Sequence, residues 1–273
     1  LPPLIRGDDR TCFAVTEPNA GLDTGAIETR AVRDGSHYVV HGQKLWTSTA
    51  QRANKIMLLA RTAAKETGKK STDGLSLFYT DLDRDHVEVH EIGKMGRKAV
   101  DSNALFIDGL KIPRQNLIGE EGQGFRCILH GLNPERILIG AEAIGLGRAA
   151  LAKATQYAQE RHVFGRAIGQ NQAIQHPLAE VWAELEAADL MILKAAHLYD
   201  SGESCAAEAN AGKMLAAEAA HKACERAVLT LGGMGYAREY HVERYLRESY
   251  IARIAPVSRE MVLNFIAERV LEL

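Results

Sequence analysis

Apolar and polar positions follow two different periods along this chain, and the change falls near residue 120. Before it, the apolar runs are short and rich in β-branched and aromatic residues, at 25–32, 37–40, 56–60, 75–79, 87–89 and 104–107. Gly, Asp, Asn and Lys punctuate them, the pattern of strands separated by turns. Between Arg61 and Gly74 the sequence TAAKETGKKSTDG predicts a mobile hairpin loop. After residue 120 alanine rises sharply and apolar residues recur at helical spacing. Leu178, Val181, Trp182, Leu185, Ala188, Ile192, Ala195 and Tyr199 make one stripe, which Asp200-Ser201-Gly202 stops. A second helix is predicted over 206–231, ending at Gly232-Gly233-Met234-Gly235, with shorter ones over 242–250 and 258–271. Pro134 lies inside a further long helical pattern. Its missing N–H and its clash with the preceding turn predict a kink or a restart there.

Strands followed by four or five antiparallel helices, without βαβ alternation, make an α+β chain. The expected architecture is a small antiparallel β-barrel or sandwich over residues 1–117, then an antiparallel α-helical bundle over 118–273.

Composition narrows the function classes. The 273 residues are 46% hydrophobic and 25% charged, enough to fill a core, and the formal net charge of -2 advertises no nucleic-acid surface. Cys12, Cys127, Cys205 and Cys224 form no C-x-x-C pair and read as thiols of a reducing compartment. No apolar run approaches the ~18 residues of a membrane-spanning helix, and no signal peptide is visible. A cytoplasmic protein without a membrane partner is expected. The ten histidines show no metal-ligand spacing. Neither a nucleophile elbow nor a Rossmann fingerprint is present, so no nicotinamide cofactor is indicated.

Two stretches carry candidate chemistry. In AVTEPNAGLD (14–23), a strand ends at Thr16-Glu17-Pro18 and turns at Asn19-Ala20-Gly21. GQKLWTS (42–48) follows an alternating run and ends in Trp46, Thr47 and Ser48. Hydroxyls at two strand ends, with a large aromatic face beside one of them, suit a flat heteroaromatic cofactor. Each stretch alone reads equally well as a strand end with ordinary turn chemistry.

Together they resemble the acyl-CoA dehydrogenase family of flavoproteins, through its V-T-E-P-x-A-G-x-D and G-x-K-x-W-(I/T)-(S/T) segments. The resemblance implies FAD, with Val15 and Thr16 at the flavin pyrimidine edge, Trp46 flanking the ring and Ser48 near N5. Leu22 stands where the family often has a hydroxyl. The family also carries an N-terminal helical domain that does not precede Leu1, so the chain is expected to be a piece of a longer one.

Further residues follow from the same resemblance. Alone, Glu135-Arg136 reads as a surface ion pair. A carboxylate at a helix break beside an apolar wall also suits a general base, and in the isovaleryl- and long-chain-type branch the base precedes this Arg. Glu135 is therefore the candidate base and Arg136 a candidate substrate contact. The commoner base lies in a C-terminal Y-E-G-T segment. Pro256 holds that position here and supplies no N–H for the thioester carbonyl. Arg161 and Phe164 match R-x-x-F-G, whose side chains reach the FAD of a neighbouring subunit, and Gln172 and His176 follow on the next helix. Gly232-Gly233-Met234-Gly235 exceeds what a helix cap needs and matches a turn near the FAD pyrophosphate, with Leu229 replacing a frequent Gln. Ser258 falls among the FAD contacts.

The implied reaction is α,β-dehydrogenation of an acyl-CoA to a trans-2-enoyl-CoA. The implied partners are an electron-transfer flavoprotein and further copies of the chain, as a homodimer or homotetramer. A flavin oxidase or monooxygenase on the same fold, or a catalytically degenerate FAD-binding protein, are the alternatives.

Overall fold

The computed structural model describes every residue except 66 and 69. The chain divides into two compact units, Leu1–His130 and Gly131–Leu273.

The first unit opens with a short helix α1 (Pro2–Arg6) and then carries eight strands: β1 (Thr11–Ala14), β2 (Arg30–Asp34), β3 (His37–Ser48), β4 (Lys55–Arg61), β5 (Leu75–Asp81), β6 (Val87–Glu91), β7 (Ser102–Pro113) and β8 (Leu117–Ile118). They form one sheet of order β6-β7-β3-β2-β4-β5-β8, with β1 added to β4. Two features depart from the expected antiparallel barrel. β4 runs parallel to both β1 and β2. The path is also open, because β8 is two residues long and pairs with β5 alone, so the ladder ends before it can return to β6. Tyr38, Val40, Ile56, Leu58, Phe78, Leu105, Leu110 and Ile112 alternate inward along the strands and are fully or almost fully buried.

Residues 25–32 are not one strand. A 3-10 turn covers Thr24–Ala26, and β2 starts only at Arg30. Buried Arg61 decides this. It donates to the carbonyls of Gly25 (3.0 Å), Ile27 (3.1 Å), Ser71 (3.0 Å) and Asp73 (3.0 Å). Those bonds hold the 25–27 turn against the connection between β4 and β5. A ladder could not supply that arrangement. The expected hairpin loop lies on this connection, and its residues 66 and 69 fall outside the described ones.

The second unit is helical. α2 (Gly124–Glu160) starts in the first unit and passes Pro134 without restarting. It is followed by a two-stranded hairpin of β9 (His162–Val163) and β10 (Arg166–Ala167), then α3 (Gln172–Asp200), α4 (Ala206–Leu231), α5 (Gly233–Tyr236), α6 (Val242–Ile254) and α7 (Arg259–Arg269). Alanines 209, 216, 217, 219, 220, 223 and 227 of α4 are buried. Small residues let the helices approach closely. A Cβ on Gly147 would stand 3.0 Å from the Ala220 Cα. Along α3 the buried stripe is Val181, Leu185, Ala188, Ile192 and Ala195. Trp182 and Tyr199, predicted to share it, lie at its margins and are exposed. Among the described residues no helix is long and apolar enough to cross a membrane.

Candidate active site

The first unit places the two motif strand ends side by side. The chain leaves β1 at Ala14 and closes a tight turn, in which Glu17 and Ala20 exchange backbone hydrogen bonds of 3.1 and 3.2 Å. Leu45 N–H donates to the Thr16 carbonyl at 2.8 Å, tying this end to β3. Val15 and Thr16 are half-buried there.

Beyond Lys44 the register between β3 and β7 shifts before it resumes at Thr47. The bulge carries Trp46 at φ 60, the left-handed region, where a bulky side chain is strained. The residue is 56% exposed, and Ser48 is exposed close by in sequence. Thr47 turns inward, and its buried hydroxyl has no partner among the described residues. The bulge therefore places an exposed indole at a strand end. Strain of this kind gathers at functional sites.

In the second unit Asn133, Glu135 and Arg136 lie on α2 near Pro134. Protein around Glu135 lifts its carboxyl above the usual carboxylate range, opposed by the Arg136 charge, while the side chain stays open to solvent. Arg136 Nη1 donates to Asn133 Oδ1 at 3.0 Å, and its buried Nε has no hydrogen-bond partner among the described residues. A buried guanidinium donor left without a partner is a group that calls for an explanation, such as a bound acceptor.

Phe164 and Gly165, at the tip of the β9–β10 hairpin, have φ of 54 and 81. That is the geometry of a two-residue turn that favours Asn or Gly. Phenylalanine in the first position is fully exposed. Arg161 precedes it and is also exposed, as are Gln172 and His176, one turn apart at the start of α3.

The glycine turn resolves into separate reasons. Gly232 caps α4 with φ 60 and ψ -130, which a side chain would not tolerate. Gly235 is glycine because a Cβ would meet the Val228 carbonyl oxygen at 2.3 Å. Gly233 has neither reason, since open space surrounds it. Ser258 caps α7, its hydroxyl accepting weakly from the Met261 N–H at 3.5 Å.

The acyl-CoA dehydrogenase middle-domain family matches residues 12–110, and the acyl-CoA dehydrogenase C-terminal-domain family matches residues 122–271. The chain belongs to the acyl-CoA dehydrogenase family. It is 38% identical to acyl-CoA dehydrogenase FadE12 of Mycobacterium tuberculosis over 277 residues, covering 98% of this chain and 69% of that protein. It superposes on butyryl-CoA dehydrogenase from Megasphaera elsdenii with a TM-score of 0.93 at 30% identity, covering 98% of this chain and 70% of that one. A solved structure of the electron transferring flavoprotein of Acidaminococcus fermentans contains a chain similar to this one, with a TM-score of 0.93, 30% identity and coverage of 99% and 70%.

Acyl-CoA dehydrogenases bind FAD and dehydrogenate acyl-CoA thioesters, as the sequence motifs imply. The residues present are compatible with FAD: within the first unit the Trp46 side chain is exposed, and within the second Phe164 is fully exposed and a Cβ at Gly233 would meet nothing within 4 Å. Two elements of the dehydrogenase escaped the motif reading. One is a buried ion pair, Glu17–Lys44, inside the two flavin motifs. Its signal was one charged residue in each motif, Glu17 in the turn after β1 and Lys44 within β3. The other is buried Lys213 on α4, which a run of alanines concealed.

Proposed function

We propose that Glu135 is the general base of the acyl-CoA dehydrogenase and Arg136 a substrate contact. The observation that carries the reading is the adjacency on α2 of Glu135 to Arg136, whose buried Nε has no hydrogen-bond partner among the described residues; surrounding protein that raises the Glu135 carboxyl supports it. Glu135 takes the proton α to the thioester carbonyl. Its lifted pKa brings it nearer to a weak carbon acid, and surrounding protein strengthens the interactions that position the substrate. FAD, when bound, supplies the acceptor for the β-hydrogen, which leaves as hydride. Loss of one proton and one hydride converts the acyl-CoA to a trans-2-enoyl-CoA. Pro256 donates no hydrogen bond, so carbonyl polarisation rests on neighbouring N–H groups and on Arg136.

Val15, Thr16, Trp46 and Ser48 hold the flavin end. Arg161, Phe164, Gln172, His176, Gly232 and Gly233 hold the remainder, with Ser258 contributing what its capping bond leaves free. Exposed Phe164 on a strained turn supports contact with the FAD of a second copy. The helices act as an antiparallel bundle whose exposed Trp182, Leu190 and Leu193 meet that copy, in a homodimer or homotetramer. An electron-transfer flavoprotein is the electron acceptor, supported by the similarity to a chain in the Acidaminococcus structure. The protein works in the cytoplasm.

An anaerobic titration of the FAD-loaded protein with straight and branched acyl-CoA thioesters tests the reading. Bleaching of the flavin by one of them, followed by slow recovery in air and fast recovery with the electron-transfer flavoprotein, is expected. Rapid recovery in air would favour an oxidase, and no bleaching by any thioester would mark a degenerate flavoprotein.

A further inference from the structure

The Glu17–Lys44 pair belongs to neither the substrate residues nor the expected flavin contacts, yet it is the most deeply buried charge pair among the described residues. Lys44 Nζ donates to Glu17 Oε1 at 2.8 Å and to the Val15 carbonyl at 2.9 Å. The Glu17 carboxylate also accepts from Glu28 N–H at 2.7 Å and Thr29 N–H at 3.0 Å. The side chains are 0% and 6% exposed for Lys44 and Glu17 respectively.

Such a pair is a poor way to gain stability. Desolvating two charges commonly outweighs their attraction, and apolar residues of similar volume often fold as well or better. Its geometry points to another use. β1 pairs in the sheet with β4 and not with β3, so no ladder joins the Thr16 end to the Trp46 end. Hydrogen bonds that join them among the described residues are Leu45 N–H to the Thr16 carbonyl and the two bonds from Lys44. Lys44 is also the last paired residue before the bulge that turns Trp46 outward. The far flank is pinned separately, by buried Asn103 donating to the Thr47 carbonyl at 2.9 Å.

We propose that Glu17 and Lys44 are positioning residues that fix the Val15–Thr16 strand end against the Trp46–Ser48 strand end, so that both meet the flavin at one spacing. The proposal rests on the reading that these strand ends bind FAD. Burial pulls Lys44 down to about 8, opposed by Glu17. Burial alone would raise Glu17, but Lys44 and the backbone donors carry it below the usual range. The 2.8 Å contact is the closed form of the clamp.

The test compares wild type, Lys44→Met, Lys44→Arg and the double variant Glu17→Leu/Lys44→Met, in full-length protein. FAD affinity is measured by fluorescence titration, and the flavin's visible spectrum and reduction potential are recorded. The double variant is expected to fold but to melt below wild type, because the Glu28 and Thr29 N–H groups lose their acceptor, to bind FAD ~10-fold more weakly, the scale of one good interaction lost, and to show a displaced potential. Lys44→Arg is expected to recover part of both. A double variant with wild-type affinity, spectrum and potential overturns the proposal. So does one that fails to fold, since the pair would then be a stability element. The wild-type titration is read separately: a folded wild type that takes up no FAD refutes the flavin reading itself.

Discussion

Lys213 of α4 reaches a chain position 44 residues away, donating a hydrogen bond of 2.7 Å to the Val257 carbonyl, next to Pro256. It is 1% exposed. Burial and the nearby Arg136 charge pull its amine down to about 8, against the opposing charge of Glu218. Between about 8 and its ordinary value of ~10.4 the folded state binds fewer protons than the unfolded state, so its contribution to stability rises with pH. Below about 8 the cost of burying the ammonium is present in full. Lys213→Met should therefore look most favourable, relative to wild type, at about pH 7, and lose that advantage towards about pH 10. Urea unfolding at the two pH values reads this directly. A difference that does not change with pH would mean that the amine is effectively solvated.

Glu135→Gln should leave FAD bound and the fold intact while slowing substrate α-proton exchange in deuterium oxide by ~10² to 10⁴, the usual contribution of a positioned base. Only the ionised carboxylate accepts the proton. In wild type the rate should rise with pH through a pKa above the ordinary glutamate value, since the folded state holds that proton longer. Glu260 is the competing carboxylate. It is exposed, and bonds from its own backbone N–H and from Ser258 hold it below the usual range. Glu260→Gln should retain exchange. Native exchange in Glu135→Gln, with loss in Glu260→Gln, would move the base.

Phe164 offers a test in which stability and binding move apart. At φ 54 asparagine suits the backbone better than phenylalanine, and the exposed ring buries nothing within the chain. Phe164→Asn should keep the melting temperature or raise it slightly, worth up to ~1 kcal/mol, and weaken FAD retention. Unchanged retention on a desalting column would remove Phe164 from the cofactor site.

The two glycines at 233 and 235 should separate in the same way. Gly235→Ala places a methyl 2.3 Å from the Val228 oxygen and should lower stability by ~1–3 kcal/mol. Gly233→Ala meets nothing within the chain and should fold normally while releasing FAD more readily. Equal melting temperatures for the two variants, or normal FAD binding by Gly233→Ala, would contradict this division.

Local pattern was enough for much of the protein. The change from strand period to helical period near residue 120, the span of α4, the stop after α3 and the turn after Glu17 were all legible, because each depends on neighbours in sequence. The motif pair was enough to identify the family. Other features depend on residues far apart. Arg61 shortened the predicted strand over 25–32 by drawing backbone carbonyls from two distant segments, which no periodicity records. The parallel pairing of β4 with β1 and β2, and the open end at β8, were decided by which strands met. Trp182 fell outside the core because a helical stripe has a margin, and only packing shows where that margin lies. The same holds within the motifs. Sequence alone could name Glu17, Lys44 and Trp46. Folding buried the first two as a pair and put the third on a left-handed bulge, because a charge can leave water only where another chain segment supplies its partner.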